Sequence, residues 1–204
     1  MNRCIVVQGP TNPNNVLNIK KYWEGFPLIF STWKGANTSC YSTNDIVLFN
    51  DVPTNRGVRN LNLQRVSSLN GIVKAKEMGF SRVLKWREDM YPTNSDELIS
   101  LFREDCINFY SYMNHGFGYV TDYFVEGPTD DLINFFTSMT ITGPYPEHPF
   151  TEQIIKLKIN NLNFIGEDLT ETNDVIWTKR NKRLFKEMQD NLHTVILPEK
   201  LKNL

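Results

Sequence analysis

The stretch VLKWREDMYPTNSDELISLF, residues 83–102, leads from a strand-like run into three charged residues and then into a helix start. The run ends at Arg87, Glu88 and Asp89, and Ser95 followed by acidic residues is typical of a helix N-terminus. A strand buried on both faces should carry no charge internally, so this triplet is expected at the strand's end. Ligands of open α/β sheets bind at the carboxyl ends of strands, which makes the triplet a candidate ligand site.

Outward from this stretch, strands alternate with helices. Apolar runs predict the strands, and apolar side chains spaced three and four residues apart predict the helices. This order predicts an α/β fold with a mostly parallel sheet flanked by helices, to which the second half adds shorter strands of a mixed sheet. The predicted strands cover 4–7, 28–33, 45–51, 81–86, 107–113 and 118–127, and the predicted helices cover 13–23, 61–78, 95–102, 129–139, 151–162 and 178–192.

Composition argues against several classes of protein. A formal net charge of −1 gives no field that would attract nucleic acid or an anionic membrane. Three cysteines without a CxxC pair argue against a metal finger or a disulfide framework. No apolar stretch approaches the ~20 residues of a membrane span. We therefore expect a soluble, cytoplasmic protein with one domain over residues 1–204.

Polar residues end three of the predicted strands, at 8–10, at Asp51 and at 87–89. If these strands are neighbours, their ends converge on one crevice. Adjacent carboxylates favour a nearby cation, and carboxylate oxygens suit Mg²⁺ or Mn²⁺, so Asp89 is a candidate for linking a metal to a diphosphate. The same acids are also typical of solvent-facing turn residues. Arg87 suits either an ion pair with a carboxylate or a phosphate contact.

Six segments of the chain carry a family resemblance: CIVVQGP (4–10), LIFSTWKG (28–35), LQRVSSLNGIVKAKEMG (63–79), VLKWREDMYP (83–92), TDYFVEG (121–127) and PFTEQ (149–153). Together they resemble the WavE-type lipopolysaccharide glycosyltransferases. They also resemble the related small glycosyltransferases that large DNA viruses use in capsid glycan synthesis, for which the host cytoplasm would be the location. The resemblance covers roughly residues 3–180.

The resemblance implies a GT-A fold, the fold of nucleotide-diphospho-sugar transferases, with Mn²⁺ or Mg²⁺ at an Asp-X-Asp motif. Residues 87–89 stand where that motif belongs, with arginine in place of the first aspartate. The implied nucleotide-binding half is 1–92, and the acceptor-side half with the C-terminal helix is 93–204. The implied metal ligand is Asp89, with Glu88 as a second one, and the implied nucleotide-sugar-binding residues are Gln8, Gly9, Pro10, Asp51, Arg65, Arg87 and Glu88.

Two acids are candidates for the catalytic carboxylate that removes a proton from an acceptor hydroxyl. Glu152 begins a predicted helix after a proline-rich loop, and the resemblance favours it as the base. Asp122 lies among aromatic residues and is the candidate for a sugar contact. Glu152 also fits a first-turn residue that offsets the helix dipole, and Asp122 fits a hydrogen-bonded strand acid. The expected reaction is inverting transfer from a nucleotide-diphosphate sugar, most simply a UDP-sugar, to a glycan or glycoprotein acceptor.

Two other functions remain open from the sequence. A nucleotidyltransferase that makes sugar nucleotides uses a similar sheet, but it calls for a glycine-rich loop with a basic residue after the first strand. The loop QGPTNPNN, residues 8–15, has neither Lys nor Arg. A non-catalytic carbohydrate-binding module would use Trp33, Tyr119 and Tyr123 as stacking platforms.

Overall fold

The computed structural model describes residues 2–57, 60–90, 92, 95–114, 117–139, 150, 153–154, 156–157, 159, 161–168 and 194–196. Eight strands and four helices have defined bounds among them, and residues 150, 153–154 and 156–157 are also helical. The strands are β1 (Arg3–Gln8), β2 (Leu28–Trp33), β3 (Ile46–Asn50), β4 (Arg82–Arg87), β5 (Ile107–Asn114), β6 (Phe117–Pro128), β7 (Asn161–Asp168) and β8 (Thr194–Ile196). The helices are α1 (Pro13–Tyr22), α2 (Leu61–Glu77), α3 (Ser95–Ser100) and α4 (Thr129–Thr137).

The strands form one sheet in the order β3-β2-β1-β4-β6-β5-β7-β8. β6 runs antiparallel to both of its neighbours, and the other pairs are parallel. The predicted α/β fold with a mixed, mostly parallel sheet is confirmed. β1 pairs with β4 along its whole length, so Gln8 lies opposite Arg87. The ends of the first and fourth strands therefore lie side by side, whereas β3 is separated from β1 by β2.

Side chains of β1 alternate between two cores because successive residues of a strand point to opposite faces. Cys4 and Val6 pack with α2 and α4, while Ile5 and Val7 pack on the face that α1 covers. α2 approaches the sheet very closely at Gly71, where an added Cβ would come within 2.3 Å of Val6 Cγ1. Glycine is what allows this helix to lie on β1 and β2.

A buried ion-pair network crosses the sheet at the end opposite to the carboxyl end of β4. The Glu126 side chain has no exposed surface, and its Oε1 accepts from Nε of Arg3 and from Nε of Arg82, each at 2.9 Å. Its Oε2 accepts from Arg82 Nη2 at 2.9 Å and from Asn108 Nδ2 at 2.6 Å. Every oxygen of this buried carboxylate is therefore paired, as a buried charge requires.

The prediction for the last third of the chain is confirmed in part. Residues 150, 153–154 and 156–157 are helical, as expected for the helix over 151–162, but the helix does not extend to residue 162, because a strand, β7, begins at Asn161 and pairs in parallel with β5. β8 was not expected either. The end of the predicted helix, at Asn161 and Leu162, is strand because these residues lie in β7, which pairs with β5. The predicted helix 178–192 lies outside the described residues. Over the described part of the chain, no helix has the length and apolar character needed to cross a bilayer.

Candidate active site at the carboxyl ends of β1 and β4

A cleft of about 460 Å³ opens where β1 and β4 end. This volume is within the range of small-ligand sites. The end of β2, the residues after β3, the first turn of α2 and the middle of β6 also contribute to the cleft. Its lining comprises Gln8, Gly9, Pro10, Trp33, Val52, Arg56, Asn60, Leu63, Gln64, Arg87, Glu88, Asp89 and Asp122. Seven residues that the sequence assigned to the transferase site, namely Gln8, Gly9, Pro10, Arg87, Glu88, Asp89 and Asp122, are thus brought together, with Trp33, the candidate stacking platform, beside them.

The two loops after β1 and β4 press on each other at Gly9. Gly9 has φ +141°, and an added Cβ would lie 3.0 Å from Glu88 Cβ. The Glu88 amide donates to the Gln8 carbonyl at 2.9 Å. A side chain at residue 9 would therefore force the loops apart.

The Glu88 carboxylate accepts hydrogen bonds from residues at the start of α1. Its Oε1 accepts from the Asn12 amide at 2.8 Å, and the Asn15 side chain also donates to it. A negative charge at a helix N-terminus is favourable. Burial raises the pKa of Glu88, and the two asparagine contacts partly oppose that shift. Glu88 was expected to bind the nucleotide sugar and to be a second metal ligand; in the structure its carboxylate holds a loop.

Gln8 is almost fully buried at the floor of the cleft. Its Oε1 accepts from Ser67 Oγ at 3.0 Å, which ties the end of β1 to α2. Its Nε2 donates to no acceptor among the described residues. Ser67 thus fixes the Oε1 end of the amide, and the Nε2 end is a donor for which no described residue supplies an acceptor.

Arg87 lies between two carboxylates. Its Nε and Nη2 donate to the two oxygens of Asp89 at 2.9 and 2.6 Å, a bidentate pair. Its Nη1 approaches both oxygens of Asp122 at 3.3 and 3.4 Å. The guanidinium also stacks over the Tyr123 ring at 5.5 Å. The hydrogen bonds from Arg87 lower the pKa of Asp89, and those with Asp89 raise the pKa of Arg87.

Asp122 is held from the α2 side as well. Gln64 Nε2 donates to Asp122 Oδ2 at 2.9 Å and to the Asp122 carbonyl at 3.1 Å. The Asp122 side chain is 10% exposed. It is therefore a fixed carboxylate at the cleft wall, oriented by groups from β4 and α2.

Lys85 lies fully buried beneath this cluster, and the sequence interpretation missed it. Its Nζ donates to the Asp122 carbonyl at 2.5 Å. Burial lowers the pKa of Lys85 from 10.5 to about 7, against the opposing attraction of Asp122. The expectation that this strand carries no charge before its end is thus wrong. The period of two was the available signal, because it places Lys85 and Arg87 on the same face.

We expect Lys85→Met to flatten the pH dependence of stability between about pH 7 and pH 10. In that range the unfolded chain binds a proton on Lys85 that the folded chain does not, so wild-type stability gains up to about 1.4 kcal/mol per pH unit as pH rises. Below pH 7 both states are protonated, and the burial cost is largest there. Urea unfolding of both proteins at several pH values measures the difference. If the free energy of unfolding changed with pH in the same way for both proteins, the low pKa of Lys85 would be contradicted.

Two other predicted site residues do not line the cleft. Asp51 is exposed at the end of β3 and pairs with Lys34 at 2.8 Å, outside the cleft lining. Arg65 Nε donates to Asn62 at 3.2 Å and its Nη1 to the Phe136 carbonyl at 3.3 Å, so it links α2 to α4. Glu152 lies outside the described residues.

The carboxylates in the cleft do not, as arranged, fit a divalent metal. Asp89 is engaged on both oxygens by Arg87, and Glu88 by the start of α1. Across the part of the chain that the structure describes, no three His, Cys, Asp or Glu side chains cluster closely enough to hold a metal ion. A metal at Asp89 would have to displace a bidentate arginine.

Similarity to known proteins is confined to three-dimensional structure. No protein-family model matches the sequence, and no curated protein matches it. A Desulfovibrio desulfuricans protein named as a nucleotide-diphospho-sugar transferase superposes with a TM-score of 0.57 at 10% identity, covering 93% of this chain and 96% of that one. The fold is that of the nucleotide-diphospho-sugar transferases.

Two further structures of this fold belong to synthetases. A CMP:2-keto-3-deoxy-manno-octonic acid synthetase complexed with CTP has a TM-score of 0.54 at 6% identity, covering 94% of this chain and all of the other. The 4-diphosphocytidyl-2C-methyl-D-erythritol synthase of Anaerococcus prevotii has a TM-score of 0.51 at 8% identity, covering 92% and 94%. At these identities the likeness establishes the fold alone.

Proposed function

We propose that this protein is a glycosyltransferase that moves a sugar from a nucleotide-diphosphate donor, most simply a UDP-sugar, to a hydroxyl of a glycan or glycoprotein acceptor, with inversion. One observation carries the proposal. A fixed guanidinium and a fixed carboxylate, Arg87 and Asp122, meet in a cleft at the carboxyl ends of the central strands. Glycosyl transfer needs a cation where the leaving diphosphate gains charge and carboxylates where the sugar hydroxyls lie.

The cleft residues suit these roles by position. Gln8, Gly9 and Pro10 end the central strand, where the ligands of such sheets bind, and the spare Nε2 of Gln8 is a donor for the nucleoside. Arg87 binds the diphosphate of the donor. Asp122 is held at the cleft wall by Arg87 and Gln64, so it serves as an acceptor of hydrogen bonds from a sugar hydroxyl. The general base is assigned to Glu152.

A nucleotidyltransferase is the second candidate, because two of the similar structures are synthetases of sugar nucleotides or related compounds. The loop after β1 argues against it. A triphosphate needs free amides or cations there, but the Asn12 amide donates to Glu88 at 2.8 Å. The Glu88 carboxylate would repel a triphosphate placed on this loop.

Products distinguish the two reactions. The protein is incubated with UDP-, GDP-, dTDP- and CMP-sugars, and separately with nucleoside triphosphates and sugar phosphates. We expect slow release of the nucleoside diphosphate from one of the UDP-, GDP- and dTDP-sugars, and no pyrophosphate from any triphosphate. Pyrophosphate release would identify a nucleotidyltransferase. Binding of free glycans without binding of any nucleotide would instead support the carbohydrate-binding module.

We expect Asp122→Asn to lower the rate of nucleoside diphosphate release from the donor by at least about tenfold, within the range for a positioned carboxylate. The asparagine keeps an acceptor for Gln64 but removes the charge. Binding of the nucleoside diphosphate alone should change little. The matched control is Asp130→Asn, an exposed acid of α4 that pairs with Lys76 far from the cleft. Equal rates for wild type and Asp122→Asn would exclude Asp122 from the reaction.

A further inference from the structure

The Arg87 guanidinium lies between Asp89 and Asp122, two of the three carboxylates that line the cleft. Asp89 lies on one side, with N–O distances of 2.9 and 2.6 Å, and Asp122 lies on the other, at 3.3 and 3.4 Å. A divalent ion shared by these two acids would need the space that the guanidinium fills. Arginine stays charged at every physiological pH, so this cation is permanent.

Asp89 and Asp122 already share a cation that the chain supplies. The guanidinium of Arg87 contacts both carboxylates. Two like charges in one site need an added cation only where no cation is built in. For these two acids Arg87 is that cation.

Arg87 also keeps capacity to bind a ligand. Nη2 has two hydrogens, of which one is donated to Asp89, and the contacts of Nη1 with Asp122 are long. The side chain is 29% exposed and lines the cleft. Stacking on Tyr123 fixes the plane of the guanidinium. Arg56, which lines the same cleft, is exposed and forms no ion pair with any residue the structure describes.

We propose that Arg87 takes the place of the divalent metal, so that the diphosphate of the donor binds to this guanidinium, with Arg56 as a second cation, and binding needs no metal ion. This inference rests on the proposed function. It also gives Asp89 a defined part, since a carboxylate in a bidentate pair orients the arginine and does not coordinate a metal. Arginine suits this task because its planar fork matches phosphate oxygens.

The test is calorimetric titration of the purified protein with UDP, GDP, dTDP and CMP, each in excess EDTA and then in excess Mn²⁺ or Mg²⁺. We expect one nucleotide to bind in EDTA with a dissociation constant that added metal changes by no more than about twofold, well below the tenfold that corresponds to 1.4 kcal/mol. Arg87→Met should weaken that binding at least about tenfold, as loss of a charged hydrogen-bond partner does. Arg87→Lys, which keeps the charge and loses the fork, should lie between the two.

Asp89→Asn separates the two ways of binding most sharply. If Arg87 binds the diphosphate, this variant keeps or improves nucleotide affinity in EDTA, because the guanidinium is partly released. If Asp89 is a metal ligand, the same variant abolishes a metal-dependent affinity. Thermal unfolding of each variant without ligand checks that it is folded, and Asp89→Asn and Arg87→Lys still decide the outcome if Arg87→Met does not fold.

The outcomes also separate this inference from the proposed function. Nucleotide binding that requires Mn²⁺ or Mg²⁺ and is lost in Asp89→Asn would overturn the role of Arg87 and leave the glycosyltransferase proposal standing. Binding of no nucleotide under either condition would overturn both. Metal-free binding that Arg87→Met and Arg87→Lys leave unchanged would place the diphosphate elsewhere and overturn the inference alone.

Discussion

Glu126→Ala should lower the free energy of unfolding by about 3–5 kcal/mol, the usual cost of removing one partner from a buried ion pair. The side chain of Glu126 is fully buried and receives charged hydrogen bonds from Arg3 and Arg82. Both arginines are themselves less than a tenth exposed. Alanine would leave two desolvated positive charges facing each other. Urea denaturation with a common m-value measures the loss.

Glu104→Ala is the matched control, since this acid pairs with the same two arginines at 2.7 and 3.3 Å but is 43% exposed. Exposed pairs contribute about 0–1 kcal/mol, so the control should lose little. Nucleotide affinity should stay at the wild-type value in both variants, because the network lies at the far end of β4 from the cleft. Similar losses for Glu126→Ala and Glu104→Ala would show that burial does not set the strength of this network.

Gly71→Ala should destabilise the protein by up to about 3 kcal/mol, the upper part of the usual range for overpacking. In an ordinary helix, replacing glycine by alanine raises the free energy of unfolding by about 0.5–1 kcal/mol. Here we expect the change to have the opposite sign, because the added methyl group meets the sheet. The new methyl would lie 2.3 Å from Val6 Cγ1 and 3.2 Å from Ser31 Cβ, both on the central strands. α2 would have to move away from the sheet, and Gln64, which orients Asp122, would move with it.

A double variant tests this contact directly. Val6→Ala removes the methyl groups that the new Cβ meets, so Gly71→Ala with Val6→Ala should be less destabilised than the sum of the single variants by about 1 kcal/mol or more. Gly79→Ala is the control for backbone strain, because its φ is +85° and an added Cβ there meets no atom within 4 Å. Strict additivity of the two single variants would mean that α2 does not press on Val6.

The meeting of the loops after β1 and β4 could be predicted from the sequence. Both strands end in polar residues, and a parallel α/β sheet brings such ends together, so the sequence predicts that 8–10 and 87–89 line one crevice, as they do in the structure. The hydrogen-bond partners of individual side chains could not be predicted. Glu88 turns to Asn12, and Arg65 turns to Phe136, because partners distant in sequence decide their direction.

The burial of Lys85 could not be predicted from the sequence either, because it also depends on a partner that is distant in sequence. A lysine in an otherwise apolar strand looks like an edge or a strand end, and its acceptor, the carbonyl of Asp122, comes 37 residues later in the chain. Nothing local to residue 85 predicts that acceptor. The strand β7 was missed for a comparable reason, since its partner β5 lies more than 50 residues earlier.

The central position of β1 has a consequence for how the chain folds as it is synthesised. β1 pairs with β2 soon after both have been made, but its other edge stays open until β4, whose Val83 pairs with Cys4, has been added. Such long-range parallel pairing is slow to form, and an open apolar strand edge invites pairing with other chains. Chains that stop before residue 87 should therefore aggregate, and a chaperone that shields strand edges should act on this protein during that interval.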